Sequence, residues 1–386
     1  MDRIARDDRT DGRMISVLVC VSLAAATLVI GMPASGAVEN TCRARDVTQD
    51  TPWNSDLQAV IGAATRSDVI AVKFVCVGNF KIAKSLTLIG KPTADLPYGV
   101  LNANGHGQVL VVSRAHITLE NLKISGGSDT RWTQGAGITT AATLVLIDTI
   151  VKGNTGTGIY NTGNLTLEGA SIVSHNSEAG INNHGPNFSP SLTMNDTSTV
   201  TGNSGYGIYS YYAYTTLNGA SSVTRNVTDV LTSVYNWEGT LTMNDSSSVT
   251  DNVGTLAAVD NAALFTMNGT SSVSGNTATI WSGGGVSNSS TAQMTMNDSS
   301  SIVGNSTIRS GGGVANDGLL TMNGSSTITG NTSDADDNGV GGGGGIKVAC
   351  SGTLNGTVDG GNVNDNYRGM ATPVENNIAD PPQTCG

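Results

Sequence analysis

The sequence predicts an all-β protein whose body is a right-handed parallel β-helix, with three short strands per coil and about 10–11 coils. A phrase of the type Leu-Thr-Met-Asn-(Asp/Gly)-Ser-Ser-Ser-Val-Thr-Gly-Asn recurs along most of the chain. Its strand-like pieces are too short for a leucine-rich repeat or a propeller blade. The composition also fits, because 50 glycines, 4% aromatic and 13% charged residues indicate many turns and too little charge for a disordered chain.

Residues 1–37 have the pattern of a secretory signal peptide. Four arginines precede the apolar run 14–32, and Ser35, Gly36 and Ala37 form a small-residue cleavage site. The alternative is an uncleaved membrane anchor, because the run is near the lower length limit of a membrane span, ~17–25 residues. Both interpretations place the body outside the cytoplasm, so we expect a secreted or cell-surface protein. The favoured one, a signal peptide, predicts that the mature form has no membrane span.

Residues 38–80 are the predicted N-terminal cap. Ser55 and Gln58 form a helix start of the Ser-x-x-Gln type. Apolar residues then recur at i, i+3, i+4 and i+7: Leu57, Val60, Ile61 and Ala64. The β-branched run 69–77 predicts a strand. We therefore expect a short amphipathic helix that covers the open end of the solenoid.

Residues 81–370 are the predicted solenoid, and three columns of aliphatic residues recur along it. The first column, the anchors, comprises Leu88, Leu119, Leu146, Leu167, Met194, Leu217, Met243, Met267, Met296, Met322 and Leu354. The second comprises Val173, Val200, Val223, Val249, Val273, Ile302 and Ile328. The third comprises Ile181, Ile208, Val234, Val259, Val286, Val314 and Ile346. If the coils stack at the inter-strand spacing of ~4.8 Å, these columns form the core of a rod roughly 50 Å long.

Asparagine recurs at three corners of the repeat, where it tolerates left-handed backbone and satisfies neighbouring polar groups. One column follows the anchors: Asn195, Asn218, Asn244, Asn268, Asn297, Asn323 and Asn355. Another ends the second strand: Asn176, Asn203, Asn226, Asn252, Asn276, Asn305 and Asn331. The last follows the third strand: Asn161, Asn183, Asn236, Asn261, Asn288 and Asn316. We predict that their side-chain amides hydrogen-bond along the rod.

Residues 371–386 are the predicted C-terminal tail or cap. The cysteines predict two disulfide bonds. Removal of the signal peptide takes away Cys20 and leaves four cysteines, an even number that suits an oxidising compartment. Because the ends of the rod would lie roughly 50 Å apart, we expect the bonds Cys42 to Cys76 and Cys350 to Cys385.

Phrases such as Leu86-Thr87-Leu88-Ile89-Gly90, Gly283-Gly284-Gly285-Val286-Ser287-Asn288 and Leu320-Thr321-Met322-Asn323-Gly324 carry a resemblance to a known family. Over residues 81–367 the chain resembles the pectate-lyase (pectin lyase-like) superfamily of right-handed β-helices. The resemblance implies an asparagine ladder in the tight turn between the second and third strands, which the Asn195 to Asn355 column would match, and binding loops before the first strand. The repeats are also similar to those of polymorphic surface adhesins, although the Phe-x-x-Asn motif of those proteins is missing.

No catalytic residue is predicted. For lyase activity the resemblance implies a calcium site of several carboxylates with an Arg or Lys base beside it, and the sequence does not assemble this set. Arg225 and Asp251 occupy equivalent positions on successive coils, where an ion pair between coils is favoured over catalysis. Gly105-His106-Gly107 matches a tripeptide of family polygalacturonases, but the expected Asp pairs are absent and a turn is predicted.

Asp334, Asp336 and Asn338 fit the start of a calcium loop, Asp-x-Asp-x-Asn-Gly, but the twelfth position is Gly345 rather than Glu. The favoured interpretation is an acidic surface loop without an ion, and a weak calcium site is the alternative. No other cofactor is expected.

Tyrosine is concentrated in one part of the chain, since five of nine fall within nine residues: Tyr206, Tyr209, Tyr211, Tyr212 and Tyr214. Tyr160, Tyr209 and Tyr235 each follow a third-strand aliphatic, so alternation turns them outward on one sheet, with Asp260 next in the column. These eight residues are the candidate ligand-binding flank. Either they form an exposed strip for sugar rings or a protein partner, or their rings pack together and cover the sheet.

The net charge of −11 argues against nucleic acid and anionic membranes as partners. The favoured hypothesis is an exported, non-catalytic surface or secreted β-helix that binds a polysaccharide, a cell-surface glycan or a surface protein. The alternatives are a polysaccharide lyase or glycoside hydrolase of the pectin lyase-like superfamily, and a purely structural spacer.

Overall fold

Strands of neighbouring repeats pair in parallel and in register, and the chain winds into a β-solenoid of about 10 turns. The computed structural model describes residues 41–185, 190–229, 232–336 and 342–348, together with the strands Thr353–Asn355, Val363–Tyr367 and Ile378–Ala379. The predicted all-β parallel β-helix is confirmed at this level. The signal peptide and the predicted Cys350 to Cys385 bond lie outside the described residues.

Most strands fall into three rows of parallel partners. The anchor row contains Asp68–Lys73, Leu86–Gly90, Leu110–Glu120, Ile138–Ile147, Asn164–Glu168, Ser191–Met194, Tyr214–Leu217, Thr240–Met243, Leu264–Met267, Gln293–Met296, Leu319–Met322 and Thr353–Asn355. The valine row contains Val75–Val77, Gly99–Asn102, Leu122–Ser125, Ile150–Lys152, Ile172–Ser174, Thr199–Thr201, Ser222–Thr224, Ser248–Thr250, Ser272–Ser274, Ser301–Val303, Thr327–Ser333 and Val363–Tyr367.

The outer row contains Phe80–Ile82, Ile159–Asn161, Ile181–His184, Ile208–Tyr211, Val234–Trp237, Val259–Asn261, Val286–Asn288, Val314–Asn316, Ile346–Val348 and Ile378–Ala379. The long strands Leu110–Glu120 and Ile138–Ile147 belong to the outer and anchor rows at once. Five short strands pair beside these rows: Ser128–Asp129, Thr155–Gly156, Val253–Gly254, Thr277–Ala278 and Ser306–Thr307.

The three aliphatic columns form the core. From Leu88 to Met322 each anchor pairs in register with the next, and the second and third columns do the same. These side chains are almost completely buried, as side-chain alternation along a strand requires. One predicted anchor is wrong, because Leu354 pairs with Leu320 and Asn355 with Thr321. Ile346 after the long insertion is still in register with Val314, but Thr353 pairs with Leu319, so the connection between these two strands is two residues longer than in the preceding coil. Neither Leu354 nor Asn355 therefore continues its predicted column.

The asparagine columns are hydrogen-bonded ladders. The column that ends the valine row begins one coil earlier than predicted, at Asn154, and runs to Asn331 through amide-to-amide bonds of 2.8 to 3.1 Å. No member of this buried ladder is more than 2% exposed. The column from Asn195 to Asn323 is a second, partly exposed ladder. The third column is interrupted where Ser210 takes the place of an asparagine between Asn183 and Asn236.

The N-terminal part contains an antiparallel strand, Arg43–Asp46, and a helix, Leu57–Ala63. The predicted apolar stripe of the helix is buried, and the predicted Cys42 to Cys76 disulfide is present. The helix start differs from the prediction, because Asp56 is the N-cap and its carboxylate accepts from the Ala59 amide at 3.0 Å. Gln58 does not reach back to the cap, since its amide exchanges hydrogen bonds with the backbone of Lys81.

Two corner predictions have different outcomes. Gly105, His106 and Gly107 form a turn, as expected. The predicted ion pair of Arg225 and Asp251 is wrong: in the described part of the chain the ion pairs are Arg45 with Asp50 and Arg131 with Asp129. Arg225 and Asp251 both adopt left-handed backbone at an exposed corner. Exposed pairs gain little energy against water, about 0–1 kcal/mol, so proximity alone does not bring the side chains together.

Candidate functional site

The outer row presents two columns of side chains to the solvent side of its sheet. The first column runs Tyr160, Asn182, Tyr209, Tyr235 and Asp260 in register, as the sequence predicts apart from Asn182. The aliphatic residue before each of these side chains is fully buried, whereas the tyrosines are half-buried. Alternation along the strand therefore turns the rings outward.

The second column lies two residues further along the same strands and was missed by sequence reasoning. It places His184, Tyr211 and Trp237 on successive coils in register. The rings of His184 and Tyr211 stack with centroids 5.0 Å apart and planes at 8°. The i+2 spacing of Tyr235 and Trp237 is the signal that could have revealed this column.

The two columns pack against each other. Tyr209 stacks on Tyr235 at 5.2 Å, and Tyr235 stacks on Trp237 at 6.0 Å. Tyr211 contacts the ring of Tyr212 edge-on at 4.6 Å. Ring pairs of this kind contribute about 0.5–1.5 kcal/mol each beyond the area they bury. The rings thus hold one another in place across several coils.

A loop from an earlier coil completes the cluster with Trp132. Its ring lies 5.3 Å from that of Tyr209, edge-on, and 6.0 Å from that of Tyr206. The Asn182 amide donates to the Trp132 carbonyl at 3.2 Å. The adjoining Arg131 guanidinium donates to both carboxylate oxygens of the buried Asp129, at 2.9 and 2.6 Å. This pair positions the loop.

We call the resulting surface the aromatic patch: Trp132, Tyr160, His184, Tyr206, Tyr209, Tyr211, Tyr212, Tyr235 and Trp237. It contains eight of the 17 aromatic side chains of the protein, 4 Trp, 9 Tyr and 4 Phe. Its rings pack together, yet it stays accessible, since Trp132 is 42% and Trp237 38% exposed. Tyr206 is only 8% exposed and forms the floor. The rings of the patch therefore pack against one another, and its two tryptophans stay exposed.

Tyr214 stands apart from the patch. It begins an anchor-row strand, pairs with Ser191 and Thr240, and is 54% exposed. Because the chain turns a corner between Tyr212 and Tyr214, Tyr214 belongs to neither of the two outer-row columns.

Burial and neighbouring acidic groups shift the pKa values of several side chains of the patch toward their uncharged forms. Burial raises the pKa of Tyr160, Tyr206 and Tyr209, and burial together with the Asp260 charge raises the pKa of Tyr235 to about 12. A hydrogen bond to Glu238, followed by burial, raises the pKa of Tyr212 to about 12. Burial lowers the pKa of His184 and raises that of Asp260. The hydroxyls of the tyrosines with a raised pKa therefore stay protonated and can both donate and accept hydrogen bonds.

The predicted calcium loop is only partly described. Asp334 is buried and its amide donates to the Arg309 carbonyl at 3.1 Å, whereas Asp336 is exposed. Asn338 lies outside the described residues. Where the structure is described, no group of three or more His, Cys, Asp or Glu side chains is arranged to hold a metal ion. A calcium site here stays a prediction.

The one helix of the described chain is far too short to cross a membrane, and no other helical segment there could do so. Comparison of the chain with protein-family models, with curated proteins and with solved structures finds no match.

Proposed function

We propose that the protein is an exported, non-catalytic β-helix that binds glycans through the aromatic patch. The observation that carries this proposal is the concentration of half of the aromatic side chains on one outward face, where two tryptophans stay exposed. Aromatic rings offer apolar faces to the C–H surfaces of sugar rings, and the tyrosine hydroxyls offer hydrogen bonds beside them. Exposed patches of this kind mark binding sites.

The rigidity of the patch supports binding rather than mere covering of the sheet. Its rings are held by ladder pairing and by stacking across coils, so little side-chain entropy is lost when a ligand binds. The neutral hydroxyls suit an uncharged polar surface such as a sugar chain. A surface protein is the second partner that these contacts accommodate.

The test compares two exposed tryptophans. Trp237→Ala removes a ring of the patch. Trp281→Ala removes a ring that is 58% exposed on the loop before Val286–Asn288 and is not one of the stacked rings of the patch, so it serves as the matched control. We expect Trp237→Ala to weaken binding to a glycan array or to cell-wall material by about threefold to tenfold and Trp281→Ala to leave it unchanged. Equal effects of the two variants, or no binding by the parent protein, would refute the proposal.

The same preparations test the enzymatic alternative. Unsaturated products that absorb near 235 nm, or new reducing ends released from a polysaccharide panel, would replace the binding proposal with a lyase or a hydrolase. Binding without either product supports a non-catalytic protein.

We also propose the finer architecture and the location. Parallel strands joined by crossovers within one sheet are right-handed in about 98% of cases, which supports a right-handed solenoid of three strands per coil. The buried apolar stripe supports a capping role for Leu57–Ala63. The arginines and the apolar run of residues 1–37 support export to the surface or the medium. Fractionation of cells that express the full chain tests the location, and retention in the cytoplasm would contradict it.

A further inference from the structure

A cavity of about 390 Å³ lies at the corner that joins the outer row to the anchor row in the first coils. Four basic side chains line it, Arg66, Lys84, Arg114 and His116, and no carboxylate does. This contrasts with the charge of the whole chain, −11. The cavity is therefore a local site of positive charge on an acidic protein.

The fold builds this corner in a specific way. Arg114 adopts left-handed backbone, φ 50°, in the middle of Leu110–Glu120, where a bulge shifts the pairing with Ile138–Ile147. The next coil contributes Ala142 and Thr143 to the lining, and the coil after it contributes Asn164. Bulges re-aim side chains, and here the strand turns the corner without a break.

The four bases are not equivalent. The Lys84 ammonium donates to the Gly62 carbonyl at 2.8 Å and to that of Ala64, so it is used at the end of the helix. Arg66 and Arg114 are exposed and belong to neither of the ion pairs found among the described residues. Their guanidinium groups are thus available to a ligand.

The cavity and the aromatic patch lie along one corner of the solenoid. His116, Thr143, Asn164, Ser191, Tyr214 and Thr240 pair in register at its anchor-row side. Arg114 precedes the first of these residues, and Trp237 precedes the last. Five coil steps separate the two, a distance of ~24 Å at the inter-strand spacing. A linear ligand that follows the corner can touch both.

We propose that this corner binds an anionic glycan chain, whose sugar rings contact the aromatic patch and whose carboxylate or sulfate group enters the cationic cavity. The inference rests on the proposed function and adds the ligand class. Guanidinium groups bind such oxyanions through paired charge-assisted hydrogen bonds. A chain molecule is favoured over a membrane because it can follow the corner alone, whereas an extended anionic lipid surface would also face the rest of the acidic body, which repels it.

The experiment compares two double variants, each of which removes two positively charged side chains. Arg66→Gln with Arg114→Asn alters the cavity. Lys152→Gln with Arg225→Asn is the matched control, because it makes the same charge change at exposed sites in or beside the valine row. Arg225 also has the left-handed backbone of Arg114, with φ 52°. Binding to polyglucuronate, dextran sulfate and neutral dextran is measured at low and high NaCl.

We expect the parent protein to bind one or both anionic polymers at least tenfold more tightly than dextran at low salt, and the difference to shrink at high salt. The cavity variant should lose about tenfold on the anionic polymers, the value of one charge-assisted hydrogen bond, and the control should lose none. The polymer that shows the effect identifies the group as carboxylate or sulfate.

Other results overturn the inference. Equal losses in the cavity variant and the control would indicate a general charge effect. Equal binding of dextran and the anionic polymers would refute the cavity's role while the proposed function stands, since Trp237→Ala would still weaken binding. If no polymer binds, both proposals fail. Binding to phosphatidylglycerol vesicles but to no polymer would assign the cavity to a lipid surface instead.

Discussion

Replacement of one asparagine of the buried ladder should destabilise the solenoid far more than the same replacement in the partly exposed ladder. Asn252 is 1% exposed, and its side chain makes four hydrogen bonds. Its carbonyl oxygen accepts from the amide and the side chain of Asn226, at 3.0 and 3.1 Å. Its amide donates to Asn276 and to the Val223 carbonyl, both at 3.0 Å.

The expected cost follows from these bonds. Asn252→Ala removes all four and leaves the Asn226 amide without its acceptor in a site that excludes water. At about 1 kcal/mol per net hydrogen bond the loss is about 4 kcal/mol. Asn244 lies on the same coil, at the other end of the strand Ser248–Thr250, and belongs to the partly exposed ladder. It has two side-chain bonds, one to Asn218 and one from Asn268, both 2.8 Å. Because water can replace these partners, Asn244→Ala should cost about 1 kcal/mol.

The assay is urea denaturation of both variants beside the parent protein, followed by circular dichroism. The free energy of unfolding should fall in the order parent, Asn244→Ala, Asn252→Ala. A loss for Asn244→Ala equal to or greater than that for Asn252→Ala would refute the reasoning that burial and bond count set the energetic role of each ladder.

Two further predictions follow from burial. Met243→Asp should prevent folding or secretion, because Met243 is fully buried in the anchor column and an unpaired carboxylate there costs several kcal/mol. Thr242→Asp, on the outward face of the same strand, should fold. Equal yields of the two variants would show that the assignment of inward and outward faces is wrong. Burial raises the pKa of Asp260 above its ordinary 3.8, so the folded state holds this proton more tightly than the unfolded state, and stability is lost as pH rises through the interval between the two pKa values. Asp260→Asn should therefore stabilise the protein at pH 7 and have less effect at pH 3, and an equal effect at both pH values would contradict the assigned burial.

Much of the fold could be predicted because the repeat is local. Each repeat of some 25 residues contains the strand period, the spacing of its Asn residues and the inward-facing positions. Because the coils stack in parallel and in register, the same pattern recurs from coil to coil. The outward placement of Tyr160, Tyr209 and Tyr235 followed from alternation alone. The Cys42 to Cys76 bond followed from the length of the rod.

The candidate site was predicted only in part. The sequence predicted Tyr209 and Tyr235, which lie at the centre of the patch. It did not predict Trp132, whose carbonyl accepts a hydrogen bond from Asn182, 50 residues later in the chain. Nothing in the repeat pattern indicates where a loop between coils will fold. Tyr214 lies beyond the corner, at the start of an anchor-row strand, where the alternation of the outer-row strands no longer applies.

The sequence by itself determined the solenoid, its three buried columns and the asparagine ladders, because these depend on period and on residue type at each position of one repeat. Only the tertiary structure decided how irregular segments meet. It gathered Arg66, Lys84, Arg114 and His116 from three coils into one cavity and left Arg225 and Asp251 without an ion pair between them. It also shifted the register of Leu354, through a longer connection after Ile346–Val348. Such outcomes depend on loop paths, bulges and competition with water, none of which the repeat unit encodes.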